Sequence, residues 1–244
     1  MKKIDKILLI SLFTSVSTLS FANTQTLQKQ EAQVLQKFKQ QNFYEVNEAI
    51  RNAVVDVISD DTSSFSYDFP ALAKQGYVQI QYSPDKKLKF YSFDISGGGT
   101  MGAWSNYVQY STGKTQHLDQ FASGYINQIL PVRIQNKVVY LVRSYYKGDS
   151  CTGMHHLRAV EVGPKQLLKS YVFQTKQKSL HEILVNYDCH YDADRSASQN
   201  YFRLSPKHVD VMLLNQKHQP QHQYLRYTLG SKAFVYQGIV KALD

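Results

Sequence analysis

The densest run of chemically capable side chains is Asp188-Cys189-His190-Tyr191-Asp192-Ala193-Asp194. If the strand through Tyr187 continues, Asp188, His190, Asp192 and Asp194 share one face, because side chains alternate along a strand. Cys151 and Cys189 are the only cysteines. Pairing them brings Asp149, His155 and His156 to the same region. Imidazoles with carboxylates can hold a transition metal, and carboxylates alone suit calcium. The set is therefore a candidate metal or ligand site, with a divalent metal as its candidate cofactor. Its spacing fits no established metal signature. The competing reading is a solvated loop after a strand, with Asp194 paired to Arg195.

Other motifs lose to simpler explanations. Ser111-Thr112-Gly113-Lys114-Thr115 ends like a phosphate-binding loop, but the first glycine of that motif is replaced by Val108. Ser83-Pro84-Asp85-Lys86 has a Ser-x-x-Lys spacing, yet Pro and Asp make it a turn between strands, not the helical turn that lets a lysine activate a serine. Gly97-Gly98-Gly99 could bring backbone amides to an anion, or supply a bulge or positive-φ turn, and Trp104 follows as core or rim packing. His208, His218 and His222 lie in polar, Gln-rich stretches and read as solvated. No Ser/His/Asp or Cys/His nucleophile can be assembled, since the two cysteines are expected to be oxidised.

The elements that must position these residues begin with a leader. Met1-Lys2-Lys3 opens the chain, an apolar run of about 15 residues follows, and Ser20-Phe21-Ala22 closes it. That run is shorter than a bilayer-spanning helix, so residues 1–22 read as a cleaved signal peptide, with no transmembrane segment afterwards. Export places the cysteines where disulfides persist. Closing their loop constrains the unfolded chain by about 3–4 kcal/mol. With 28 Lys and Arg against 19 Asp and Glu, the chain favours anionic partners. The basic residues are scattered, however, and no nucleic-acid-binding motif accompanies them.

Apolar residues at helical spacing predict helix over 26–58, with a break near Asn42. A polar loop from Ser59 to Ser64 ends it. From Tyr77 the pattern alternates with period 2, and short turns such as Gln135-Asn136-Lys137 imply antiparallel hairpins. Units starting near Tyr77, Ile126 and Glu182 repeat at about 50 residues, a propeller-blade spacing. Gly98-Gly99-Thr100-Met101 in the first matches Cys151-Thr152-Gly153-Met154 in the second. The predicted fold is mainly β (α+β). It comprises a helical segment at 23–64, then an antiparallel β-meander at 65–244 with propeller-blade-like or barrel-like units.

The stretch from Ser83-Pro84-Asp85 through Phe93-Asp94 to Gly97-Gly98-Gly99-Thr100-Met101 resembles a motif of uncharacterised exported bacterial β-rich proteins. It covers about 20 residues, with Phe93 where that motif carries Trp. The resemblance implies an exported, β-rich protein and no particular activity. The expected function is a periplasmic or secreted, non-enzymatic envelope protein of inhibitor or protective-partner type. Its partner would be another envelope protein or an anionic envelope component. The alternative is a metal-dependent hydrolase with its site at the Cys151 and Cys189 loops. If the leader reading holds, mass spectrometry of the exported protein will find Asn23 at the N-terminus; full-length protein in the cytoplasm would refute it.

Overall fold

The computed structural model describes residues 13–191 and 200–241, with side chains from 23 to 190 and from 200 to 241. Residues 1–12 of the expected leader, together with Asp192 and Asp194, lie outside the described residues. Two compact units divide at Val78/Gln79.

The first unit is helical. Helix α1 spans Phe13–Lys37 and α2 spans Phe43–Asp60. The break between them is the one expected at Asn42, whose side chain accepts the backbone N–H of Tyr44 and caps α2. Val46, Ile50, Val54 and Ile58 recur every four residues and form the buried stripe of α2. A 3-10 turn at Thr62–Ser66 and a short helix α3, Pro70–Lys74, complete the unit. Glu31 of α1 is buried and accepts the N–H groups of Ala71 and Leu72, both at 2.8 Å, and the Tyr67 hydroxyl. A buried carboxylate is tolerable because three donors replace its water. Among the described residues no helix is long and apolar enough to cross a membrane.

The second unit is β. Strands β1 (Gln79–Tyr82), β2 (Leu88–Asp94), β3 (Trp104–Thr112) and β4 (Thr115–Gln120) form an antiparallel meander. Then come β5 (Tyr125–Ile134), β6 (Lys137–Lys147), β7 (Thr152–Val162) and β8 (Leu167–Lys169). The remainder are β9 (Phe173–Gln174), β10 (Ser179–Leu180), β11 (Glu182–Asp188), β12 (Phe202–Leu204), β13 (His208–Leu214), β14 (Pro220–Leu229) and β15 (Phe234–Lys241). A middle sheet runs β11-β7-β6-β5, with β8 also on β7, and a third runs β10-β9-β15-β14-β13-β12. Pairing is antiparallel except for the short β9–β15 contact. The fold is thus the β-rich α+β arrangement that alternation predicted. One detail differs. The unit expected to begin at Glu182 does not start a new sheet, because β11 pairs with β7 and the last meander begins at Phe202.

The middle sheet is buried on both faces. Along β6, Val139 and Leu141 enter one apolar cluster with Phe173, Phe202, Val209 and Phe234 of the third sheet. Tyr140 and Val142 enter another with Leu88, Phe90 and Val108 of the first. Each such side chain contributes about 1.5–3 kcal/mol through burial. A bulge between Ile126 and Gln128 lets Ile126 and Ile129, an odd number of residues apart, join the same cluster.

Two polar contacts fasten the first sheet to the middle one. The Tyr140 hydroxyl donates to Asp85 at 2.8 Å, and the Tyr110 hydroxyl accepts the N–H of Leu167 at 2.7 Å. The Ser83 hydroxyl holds the other Asp85 oxygen at 2.6 Å and accepts the N–H groups of Lys87 and Leu88. The Ser-Pro-Asp motif is thus a self-bonded turn that clamps two sheets. Burial pushes the Asp85 carboxyl up, but hydrogen bonds from Ser83 and Tyr140 outweigh it and hold it below the usual carboxylate range. Tyr140→Phe keeps the ring and removes the donor. It should lower stability by about 1 kcal/mol, since exposed Asp85 recovers a water partner; urea denaturation checks this, and an unchanged midpoint would show that the clamp contributes nothing.

Candidate functional site

The candidate residues gather at one end of the middle sheet, where the β6–β7 turn meets the end of β11. The turn closes because Asp149 accepts the N–H groups of Cys151 at 2.7 Å and Thr152 at 2.6 Å. Cys151 is disulfide-bonded to Cys189, with Cα atoms 4.9 Å apart, and the Cys189 N–H also reaches the Cys151 carbonyl. The pairing expected from the cysteine count is therefore present. Directly across from Thr152, Asp188 accepts the His190 N–H at 2.9 Å and meets its Nδ1 at 2.7 Å. Backbone N–H groups lower both carboxyls, Asp149 through Cys151 and Thr152 and Asp188 through His190.

Asp149, Asp188 and His190 thus lie together beside the disulfide. His155 and His156 do not form one group with them, because neighbours on a strand face opposite sides of the sheet. His155 packs among tyrosines, its ring 4.4 Å from that of Tyr201, 5.1 Å from Tyr145 and 5.4 Å from Tyr187. Burial and the neighbouring Arg143 guanidinium push its pKa down from 6.5 to about 4, and its Nδ1 makes no hydrogen bond. His156 is buried on the opposite face, its Nε2 3.0 Å from Glu182, which also pairs with Arg158. Burial and then Arg158 lower the His156 pKa against the pull of Glu182. Among the described residues no three His, Cys, Asp or Glu side chains are placed to hold a metal ion.

The glycine loop reaches the same end of the sheet. Gly98 and Gly99 take positive φ values of 89° and 81°, which only glycine adopts without strain. The loop docks through the Gly102 N–H on the Lys147 carbonyl at 3.0 Å. The two segments that matched in sequence, around Met101 and Met154, are therefore neighbours in space. Trp104 pairs with Asp94 and packs its ring 5.0 Å from Tyr125, so it is a packing residue.

An open groove of about 460 Å³ adjoins the disulfide, lined by Tyr146, Lys147, Met154, Tyr187, Asp188 and His218. His218 comes from the tip of the β13–β14 hairpin, where Asn215 accepts the N–H groups of Lys217 and Gln219. Its Nδ1 lies 3.2 Å from the Asn186 carbonyl. Sequence reasoning treated His218 as solvated. No local signal could place it, because its position depends on a fold-level meeting of β11 with a distant hairpin. Glu182, Arg143 and the tyrosine cluster also went unmarked; the alternating Tyr145, Tyr187 and Tyr201 were the available clue. A further charged group, Asp210 between Arg203 and Arg226, is closed by mutual hydrogen bonds at 2.7–3.1 Å.

Comparison with known families, with curated proteins and with solved structures finds no match. The site defines a β-rich protein with a disulfide-braced, tyrosine-rich surface groove.

Because the folded His155 pKa lies below its unfolded value, His155 favours the fold fully above pH 6.5. That contribution is lost as pH falls from 6.5 towards 4. The shift corresponds to about 3 kcal/mol. His155→Phe keeps a ring against Tyr201 and cannot titrate. Urea midpoints at pH 7 and pH 4.5 should fall less in this variant than in the wild type; identical falls would show that His155 does not govern acid sensitivity.

Proposed function

We propose that the protein is an exported, non-enzymatic envelope protein that binds a macromolecular partner, of inhibitor or protective-partner type, through the surface around the groove. The observation that carries this reading is the composition and bracing of that surface. Tyr146, Tyr187 and Met154 line it, and tyrosine and methionine are enriched at protein interfaces. The disulfide and the Asp149 turn hold it rigid, which reduces the ordering cost of association.

A disulfide fits an oxidising compartment, and the leader-like start and the Ser83–Met101 resemblance support a periplasmic or secreted location. The basic balance of the chain favours an envelope protein or an anionic envelope component as the partner. The alternative, a metal-dependent hydrolase at the disulfide loops, draws less support. Asp149 and Asp188 already accept backbone N–H groups, and His155 and His156 face opposite sides of β7.

A photo-crosslinking residue at exposed Lys147 on the groove, compared with one at exposed Lys232 in the β14–β15 turn, tests the reading in native envelopes. Lys147 should yield one adduct of discrete mass that Lys232 does not, and Tyr146→Ala should weaken it about tenfold or more, as loss of an interface aromatic anchor does. No adduct at Lys147, or equal labelling from both positions, would overturn the proposal.

A further inference from the structure

The arginines around Asp210 carry more positive charge than their own contacts consume. Arg203, Asp210, Arg226 and Gly238 form one row across β12, β13, β14 and β15. Asp210 Oδ2 accepts Arg203 Nε at 3.1 Å, Arg203 Nη2 at 2.7 Å and Arg226 Nη2 at 2.8 Å, and Oδ1 accepts Arg226 Nε at 2.8 Å. Two guanidinium groups thus touch the same oxygen and share a single negative charge. Burial pushes the Asp210 carboxyl up, but hydrogen bonds from Arg226 and Arg203 outweigh it and hold it below the usual carboxylate range. The bond to Asp210 pushes Arg226 up in turn, so all three groups stay charged.

The carboxylate is saturated and the arginines are not. A guanidinium carries about five N–H donors, and Asp210 takes two from each arginine. Among the described residues no other acceptor reaches either guanidinium. The arginine side chains are 25% and 30% exposed, against 5% for Asp210, so the spare donors are open to a solute. Both forks are also held in place. Arg203 lies over the Tyr224 ring, 3.8 Å from its centre, and Arg226 is tied to Asp210 by two nitrogens. Rotamers fixed in the fold lower the ordering cost of taking up a ligand. Beyond Arg226 the row ends in Gly238, where an added Cβ would meet nothing within 4 Å, so that flank is open. A phosphate group brings about three acceptor oxygens and up to about two negative charges, enough for both forks at once. We infer that Arg203 and Arg226 form a binding site for a phosphate group, free or carried by a lipid headgroup. The site shares no residue with the groove and does not rest on the partner reading.

The test is calorimetric titration of the purified, disulfide-intact protein with inorganic phosphate in chloride-free buffer. A second arm measures capture by phosphatidylcholine vesicles made with and without phosphatidic acid. Saturable one-to-one binding of phosphate is expected. Arg226→Gln leaves Asp210 paired with Arg203 and so spares the fold; it should weaken binding about tenfold or more, as loss of charge-assisted hydrogen bonds does. Arg226→Lys keeps the charge without the fork and should also weaken it. Lys165→Gln, the same charge change at an exposed position in the β7–β8 turn, should leave it unaltered. Capture that requires phosphatidic acid assigns the site to lipid phosphate, and calorimetric binding without capture assigns it to the free ion. Absence of binding in both arms, or affinity unchanged in Arg226→Gln, would overturn the inference. Phosphate binding without a Lys147 adduct sinks only the partner reading, and an adduct without phosphate binding sinks only this one.

Discussion

Burial of the middle sheet on both faces is the constraint on which the rest of the β unit depends. A strand covered on one side alternates apolar and polar residues, whereas β6 reads Val138-Val139-Tyr140-Leu141-Val142 without a polar break. Neither face of such a strand can be left in water, so both outer sheets must be present for the middle one to fold. The clamp from Asp85 to Tyr140 and the contact from Tyr110 to Leu167 set how the first sheet lies on it. They are directional, which apolar packing is not, and so fix register where hydrophobic burial alone would permit sliding.

The same constraint explains where chemistry can occur. In the middle of β7 both faces are occupied, and His156 there is paired with Glu182. Toward the end of the sheet the cores run out, and the strands project as a turn braced by the disulfide. There backbone, aromatic and polar groups meet solvent together. The groove is a consequence of the sheet outrunning its covering layers, and the disulfide keeps that projecting end from fraying.

Much of this was legible from sequence because it is local. Alternation from Tyr77 onward marked the strands, the interrupted apolar spacing near Asn42 marked the helix break, and two cysteines implied one bond. Strand β4 carries little signal of its own, because Thr115-Gln116-His117-Leu118-Asp119-Gln120 is a half-buried edge strand with few apolar residues. The assignment of β11 to the middle sheet was not legible, since the choice of partner among strands of similar pattern is made by packing at long range. The separation of His155 from His156 could have been read from period 2, and grouping them overlooked it. The approach of His218 to Asn186 left no trace in sequence at all.

The glycines show how unevenly such a surface constrains its own history. A Cβ at Gly153 would lie 2.5 Å from the Tyr146 carbonyl oxygen and 2.7 Å from the Tyr187 hydroxyl, and one at Gly124 would lie 2.2 Å from the Tyr145 carbonyl oxygen. At Gly97 an added Cβ would meet open space. Drift can therefore replace Gly97, while Gly98 and Gly99, held at positive φ, and Gly124 and Gly153, each set against a tyrosine, resist it. A remote cousin of this chain would keep two inconspicuous glycines, each set against a tyrosine, as surely as the positive-φ pair Gly98-Gly99 in the motif that first draws the eye.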